Sequence, residues 1–188
     1  MLSDATHLPT IHASRVRLRW LTPGDVPALF EIFGDPLVCR YWSRPPLRSL
    51  AEADDLRREI TSCFEERSLF QWGIAGVVDD RVIGTCTLSS LSTLHRRAEV
   101  GFALARAAWG KGYMAEALAS LVGFAFETLE LHRLEADVDP RNLRSIGLLE
   151  GAGFRREGFL RERYHLNGEI QDALFYGLLR REYRGAAL

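Results

Sequence analysis

Residues 98–129, AEVGFALARAAWGKGYMAEALASLVGFAFETL, divide into a strand, a glycine turn and a long helix, and the rest of the chain is placed by reference to that junction. Ala98 to Leu104 is apolar and compatible with a strand. From Tyr113 onward the apolar residues return at helical spacing: Met114, Ala117, Leu118, Leu121, Val122, Ala125 and Leu129. Glu116, Ser120 and Glu127 fall on the opposite face. Between strand and helix lies Trp109-Gly110-Lys111-Gly112. Its glycines permit positive φ and put no Cβ between a ligand and the N–H groups that open the helix, so the junction predicts an anion site.

Working outward, Arg15 to Leu21 alternates basic and apolar residues as a half-buried first strand, and residues 1–14 before it are expected to be a flexible segment. Thr22 as N-cap and Asp25 as capping-box acid start a helix that ends at Gly34-Asp35-Pro36; Ser49 and Glu52 repeat the signature for an amphipathic helix to about Glu66. The loop between them, VCRYWSRPP at 38–46, offers Tyr41 and Trp42 either as pocket lining or as ordinary loop packing. Leu69 to Val78 and Arg81 to Leu88 form a hairpin about Asp79-Asp80; residues 90–96 read as a loop, and Arg97 to Leu104 is the next strand. After the long helix come a strand from His132 to Asp137, a short helix from Asn142 to Gly151, and a strand beginning at Phe154. Asn167-Gly168 then makes a hairpin signal. A two-residue turn there sets Leu166 opposite Glu169, Tyr164 opposite Gln171, and Arg163 opposite Asp172 as a cross-strand ion pair. The order predicts one α/β domain over 1–188, a mixed sheet with helices on its faces.

With 188 residues, 47% hydrophobic and 26% charged, the chain can bury a sizeable core as one domain. A net charge of -1 gives no overall pull toward nucleic acid or an anionic membrane. Cys39, Cys63 and Cys86 lack CxxC spacing and come without histidine clusters, which predicts buried thiols, no metal site and a reducing compartment. No signal segment opens the chain, and no apolar run approaches the roughly 18 residues of a membrane span, so a soluble cytoplasmic protein is expected.

The glycine turn is neither a Walker A loop, because the earlier spaced glycine and the Ser or Thr after Lys111 are missing, nor GxGxxG. What remains is a helix N-terminus with backbone donors and one lysine. That suits a diphosphate held without metal, with a plain strand-to-helix turn as the alternative.

In the stretch from Glu99 to Ala117, E-V-G-F followed by W-G-K-G-Y-M-A-E-A resembles the acetyl-CoA-binding motif of the GNAT N-acetyltransferases, in particular the RimJ/RimL-like branch. The resemblance runs along nearly the whole chain: Arg15 to Leu21 with Asp25, Asp35-Pro36-Leu37-Val38 with Tyr41-Trp42, Asn142 to Ser145 through Gly153-Phe154 and Glu157-Gly158, and Asn167-Gly168 with Asp172. It implies a GNAT-like, mostly antiparallel mixed sheet flanked by helices, in which the family's fourth and fifth strands splay apart. Here those are Arg97 to Leu104 and His132 to Asp137. By that resemblance, the backbone of Phe102 and Leu104 contacts the pantetheine arm of acetyl-CoA, the N–H groups of Gly110, Lys111, Gly112, Tyr113 and Met114 hold its pyrophosphate, and Asn142 bonds the cofactor arm. One departure is Ala107, where the superfamily pattern has Gln or Arg three residues before the first glycine; Arg106 beside it points elsewhere if the backbone is kept.

The implied reaction is direct acetyl transfer from the thioester to an amine, which needs a neutral amine, oxyanion stabilisation and a proton for the leaving thiolate. Glu99, an acid in an otherwise apolar strand, is the leading candidate base, acting through water; a salt bridge with Arg96 or Arg97 is the alternative. Ser145 fits the family position that protonates the thiolate, or it is an ordinary first-turn serine. In some RimL-like enzymes an acid for the base role lies on the penultimate strand, where this chain has Tyr164; Glu162 and His165 are nearby substitutes. Tyr41, Trp42 and Tyr164 are the candidate substrate-pocket residues.

The leading function is an acetyl-CoA-dependent N-acetyltransferase acting on a primary amine, a protein or peptide N-terminus or a small molecule such as a polyamine, amino acid or antibiotic. The alternatives are a non-catalytic acyl-CoA sensor and, disfavoured by the missing Walker residue, a nucleotide-binding domain. The expected partners are the amine alone, with neither nucleic acid nor membrane. The apolar run from Ala173 to Leu179 fits either a monomer's core or a homodimer's shared strand.

Overall fold

The structure is a computed structural model and describes residues 5–166 and 168–185. Eight strands form one sheet: β1 (Ile11–His12), β2 (Val16–Arg19), β3 (Leu69–Gly76), β4 (Val82–Ser92), β5 (Arg97–Leu104), β6 (Arg133–Val138), β7 (Arg155–Leu166) and β8 (Glu169–Leu179). Four α-helices accompany them: α1 (Val26–Phe33), α2 (Leu50–Glu65), α3 (Tyr113–Glu127) and α4 (Leu143–Gly151). The spatial order is β1-β2-β3-β4-β5-β6-β8-β7, and β5 with β6 is the parallel neighbour pair; the others are antiparallel. The order of elements predicts a mixed sheet, and its mostly antiparallel pairing is what the family resemblance implies.

Both helix starts use the expected chemistry. Asp25 Oδ2 accepts from the Thr22 N–H at 2.7 Å and from the Thr22 hydroxyl at 2.9 Å. Ser49 Oγ accepts from Glu52 N–H at 3.2 Å while Glu52 accepts from Arg48 N–H at 2.7 Å.

The sheet separates two cores. Leu18, Trp72, Ile74, Cys86, Leu88 and Val100 pack with Ala117, Leu118 and Leu121 of α3 and Leu149 of α4. Leu21, Ala75, Val82 and Ala103 pack with Leu29, Ile32 and Phe33 of α1 and Ala53 and Ile60 of α2. Because side chains alternate along β5, Ala98 and Val100 face the α3 core and Glu99 and Gly101 face the side that carries α1 and α2.

Three expectations are corrected. Residues 5–14 are tied down: Leu8 is buried, Ile11–His12 pairs with β2, and Pro9 C=O accepts from the Trp72 indole at 2.9 Å. A polar opening sequence hid one buried leucine. Residues 90–92 of the predicted loop extend β4, across a register shift between Ser89 and Ser92. Arg163 does not face Asp172. Leu166 does pair with Glu169 and Tyr164 with Gln171, but Arg161, Glu162 and Arg163 then lie opposite the single residue Asp172, and the ladder resumes at Leu160 with Ala173. Asp172 accepts from Glu162 N–H at 2.8 Å instead. Asn167 lies outside the described residues. Of the two readings of the run from Ala173 to Leu179, the sheet order favours burial within one chain, since β8 sits between β6 and β7.

Cys39 and Cys86 are buried and Cys63 is partly exposed, all as free thiols. Among the described residues, no helix is long and apolar enough to cross a membrane, and no group of acids, histidines or cysteines could hold a metal ion.

Candidate active site

The β5–β6 pair opens after three residues. Arg97 pairs with Arg133, Ala98 with Leu134 and Glu99 with Glu135, and there the parallel ladder stops. β5 stays paired with β4 as far as Leu104, and β6 with β8 as far as Val138, so two intact half-sheets diverge from a shared root. The free edge of β5 follows from parity. Ala105 N–H bonds to Ile83 C=O, and a Cβ on Gly84 of β4 would meet the Ala103 carbonyl oxygen at 2.5 Å, so odd-numbered residues turn their backbone groups toward β4. Phe102 and Leu104 therefore turn theirs into the gap.

Trp109 closes one end of this gap. Its indole N–H donates to Leu104 C=O at 2.7 Å, and the Arg144 guanidinium of α4 stands 4.7 Å above its ring. Asn142 caps α4, its Oδ1 accepting from Ser145 N–H at 3.2 Å. The Ser145 hydroxyl, half-buried, makes no hydrogen bond among the described residues. Neither Trp109 nor Arg144 is singled out by sequence, since the signal is a contact between residues 35 positions apart.

The turn into α3 has the geometry its glycines predict. Gly110 and Gly112 have φ of +74° and +79°, and Gly112 is the N-cap, which leaves the N–H groups of the first turn without intrahelical acceptors. Arg15 grips this turn from the start of β2. Its backbone N–H and Nε donate to the Glu116 carboxylate at 2.5 and 2.8 Å, its Nη1 donates to Lys111 C=O at 3.0 Å, and its guanidinium lies 5.0 Å from the Tyr113 ring centre. An acid in the first turn is an electrostatic liability if that helix start is to hold an anion. Burial works against the Glu116 charge, but the Arg15 contacts outweigh it and hold the carboxyl below the usual range. Arg106 takes no part: it pairs with Asp35 at 3.0 Å.

A prediction follows for Arg15→Gln. The Arg15 ion pair with Glu116 is half exposed and so worth at most about 1 kcal/mol, and KM for acetyl-CoA should rise by up to about fivefold with kcat nearly unchanged. With S-acetyl-pantetheine, which has no pyrophosphate, the variant and the parent protein should be indistinguishable.

On the α1/α2 side, the root of the gap carries acids. Glu99 is not paired with Arg96 or Arg97; its carboxylate accepts from the Ser90 hydroxyl at 3.4 Å. Burial foremost, then the charge of Asp137, raise its carboxyl above the ordinary glutamate range. The neighbouring acids all have arginines: Glu135 accepts from Arg97 at 2.5 Å and Arg133 at 2.7 Å, Asp137 from Arg163 at 3.1 Å, and Asp139 from Arg141 at 2.6 Å. Tyr164 donates to Asp137 at 2.7 Å. Glu162 and His165, the other candidate bases, are exposed.

The α1–α2 loop splits its two aromatics. Tyr41 reaches the turn before α4, with its hydroxyl 3.4 Å from Arg141 C=O. Trp42 packs on Phe33 in the second core, ring centres 5.2 Å apart. Of the two, Tyr41 is the one brought toward the β6–α4 turn.

The sequence matches the acetyltransferase (GNAT) domain family over residues 15–155. It is 34% identical over 178 residues to the uncharacterized N-acetyltransferase p20 of Bacillus licheniformis, covering 95% of this chain and 100% of that one. It is 27% identical over 121 residues to the [ribosomal protein uS5]-alanine N-acetyltransferase of Escherichia coli K12, covering 63% and 62% of the two chains. The crystal structure of spermidine N-acetyltransferase from Vibrio cholerae in complex with CoA and spermine superposes with a TM-score of 0.79 at 25% identity, over 90% of this chain and 98% of that one. A sheet that splits beside a glycine-opened helix, in a sequence matched to one family over three quarters of its length, has one reading: the chain belongs to the GNAT acetyltransferase family and moves an acetyl group from acetyl-CoA to an amine.

Proposed function

We propose that the acceptor is the α-amine of a peptide or protein N-terminus, and that Glu99 takes its proton through a water molecule. One observation carries this reading: Glu99 is the carboxylate at the root of the gap that has no arginine salt bridge among the described residues, while Glu135, Asp137 and Asp139 all do. A polyamine carries two or more ammonium groups and needs free carboxylates to receive each of them. A single available base suits a single amine. An α-amine, with an ordinary pKa of about 7.7–8.0, is also much closer to its neutral form at neutral pH than an alkyl amine near 10.4.

Acetyl-CoA supplies the activated acetyl thioester. The β5 edge at Phe102, and the Leu104 N–H whose carbonyl already accepts from Trp109, suit pairing with the amides of its pantetheine arm, and the N–H groups from Gly110 to Met114 suit its pyrophosphate. Asn142 has its amide nitrogen left for the arm once Oδ1 caps α4. The Ser145 hydroxyl is free to give a proton to the departing sulfur. Three free thiols fit a reducing, cytoplasmic setting.

The test is thiol release from acetyl-CoA with Ser- and Ala-initiated peptides, spermidine, single amino acids and an aminoglycoside as acceptors. Peptides should give the highest kcat/KM. Higher kcat/KM with spermidine would overturn the acceptor assignment and favour the activity named for the Vibrio cholerae neighbour.

A further inference from the structure

Asp137 has no role in the reaction as derived so far, yet three observations meet on it. Its side chain is 5% exposed, and both donors that reach it, the Tyr164 hydroxyl at 2.7 Å and Arg163 Nε at 3.1 Å, go to Oδ2; Oδ1 has no hydrogen-bond partner among the described residues. A buried carboxylate oxygen left without a donor costs free energy, so it needs a reason to persist.

The second observation is the irregularity in β7. Three residues, Arg161 to Arg163, are set against Asp172 alone, and Glu162 at the centre has φ of +54°, a left-handed conformation that disfavours a side-chain-bearing residue. The bulge frees Arg163 from Asp172 and delivers both Arg163 and Tyr164 to Asp137. Strain of this kind persists where the surroundings over-determine it, commonly at a working site.

The third is position. Asp137 lies two residues past Glu135, the last β6 residue to pair with β5, and shares the face of Glu99 where the strands part. Around it stand Glu99 of β5, Glu135 of β6, and Arg163 and Tyr164 of β7. Burial, then the hydrogen bond to Asp137 and its charge, then the charge of Glu99, push the Tyr164 phenol up to about 12, so it is a neutral hydroxyl at working pH.

We propose that Asp137 is a positioning residue for the acceptor: by receiving the Tyr164 O–H proton it aims the phenol oxygen's lone pairs at the amine, which donates an N–H to Tyr164 across from Glu99. The positively charged acceptor on arrival also offsets the two neighbouring carboxylates. The inference rests on the acceptor lying on the Glu99 face, but it holds for any amine that binds there, so it stands or falls separately from the choice of peptide over polyamine.

Asp137→Asn, Tyr164→Phe and the double variant test it. Steady-state kinetics use the best acceptor of the panel, and calorimetry titrates a Ser-initiated hexapeptide and spermidine into the CoA-loaded protein. Each single variant should raise acceptor KM or Kd about tenfold, the double should be no worse than either, and KM for acetyl-CoA and the melting temperature should stay at parental values. Three results would overturn the proposal: unchanged acceptor affinity in Asp137→Asn, independent effects that multiply in the double variant, or no measurable amine affinity in the parental protein. A fall in acceptor affinity matched by an equal fall in acetyl-CoA affinity would mark a structural role and overturn it too.

Discussion

Glu99→Gln is expected to lower kcat/KM for the acceptor by about 10²- to 10⁴-fold, the range associated with losing a positioned general base. The amide keeps the side chain's shape and cannot take the amine's proton. The pH profile should change with it. In the parental protein activity should climb with pH as Glu99 ionises, and burial followed by the Asp137 charge should place that limb above the ordinary glutamate range. In the variant, only the amine's own ionisation should remain.

Stability gives an independent control. An acid whose folded pKa is raised contributes stability that is fully present below its unfolded pKa and lost as pH rises through the folded one, so at neutral pH the ionised Glu99 destabilises the fold. Glu99→Gln should therefore melt at the parental temperature or above it, and lost activity cannot be ascribed to unfolding. Full kcat/KM retained across pH would remove Glu99 from the mechanism.

Trp72→Ala should reduce the free energy of unfolding by about 3–5 kcal/mol, a large share of the roughly 5–15 kcal/mol typical of a domain. Trp72 is fully buried at the centre of the α3 core, edge-on to Phe70 at 6.4 Å and to Phe124 of α3 at 5.7 Å. Alanine leaves a cavity beneath α3, the helix that the glycine turn opens. It also strips the indole donor from Pro9 C=O, the bond that ties the amino-terminal segment to β3. Urea unfolding followed by circular dichroism measures the loss, and Trp72→Phe separates its parts: most of the volume returns while the donor stays absent. A loss under about 1 kcal/mol for the alanine variant would show that this ring does not anchor the helix.

The legible parts of the fold share a property. The strand at Arg97–Leu104, the glycine turn and the helix at Tyr113–Glu127 stand where their local pattern put them, because hydrophobic period, positive-φ glycines and capping side chains act within one or two turns of chain. The capping acids Asp25 and Glu52 were readable for the same reason. Glu99 was readable as an anomaly, an acid in an apolar strand.

The misreadings came from longer range. The Arg163–Asp172 pair assumed a regular ladder running back from the turn, and a bulge that no dipeptide announces moved Arg163 to Asp137 on another strand. Leu8 looked like part of a loose segment because its burial depends on residues more than sixty positions away. Arg15 with Glu116, Trp109 with Arg144, and Asp137 with Tyr164 were invisible as pairs, although each residue was in plain view.

The sequence by itself determined the order of elements, the glycine-opened start of the long helix and an acid near the splay, since these rest on contacts between near neighbours in the chain. Tertiary structure alone decided that β5 and β6 part after three residues, that Glu99 has no arginine salt bridge among the described residues while its neighbours do, and that Asp137 meets Tyr164. Those facts depend on which distant backbones lie side by side, and a buried charge has its effect only through the partners that packing brings within hydrogen-bond reach.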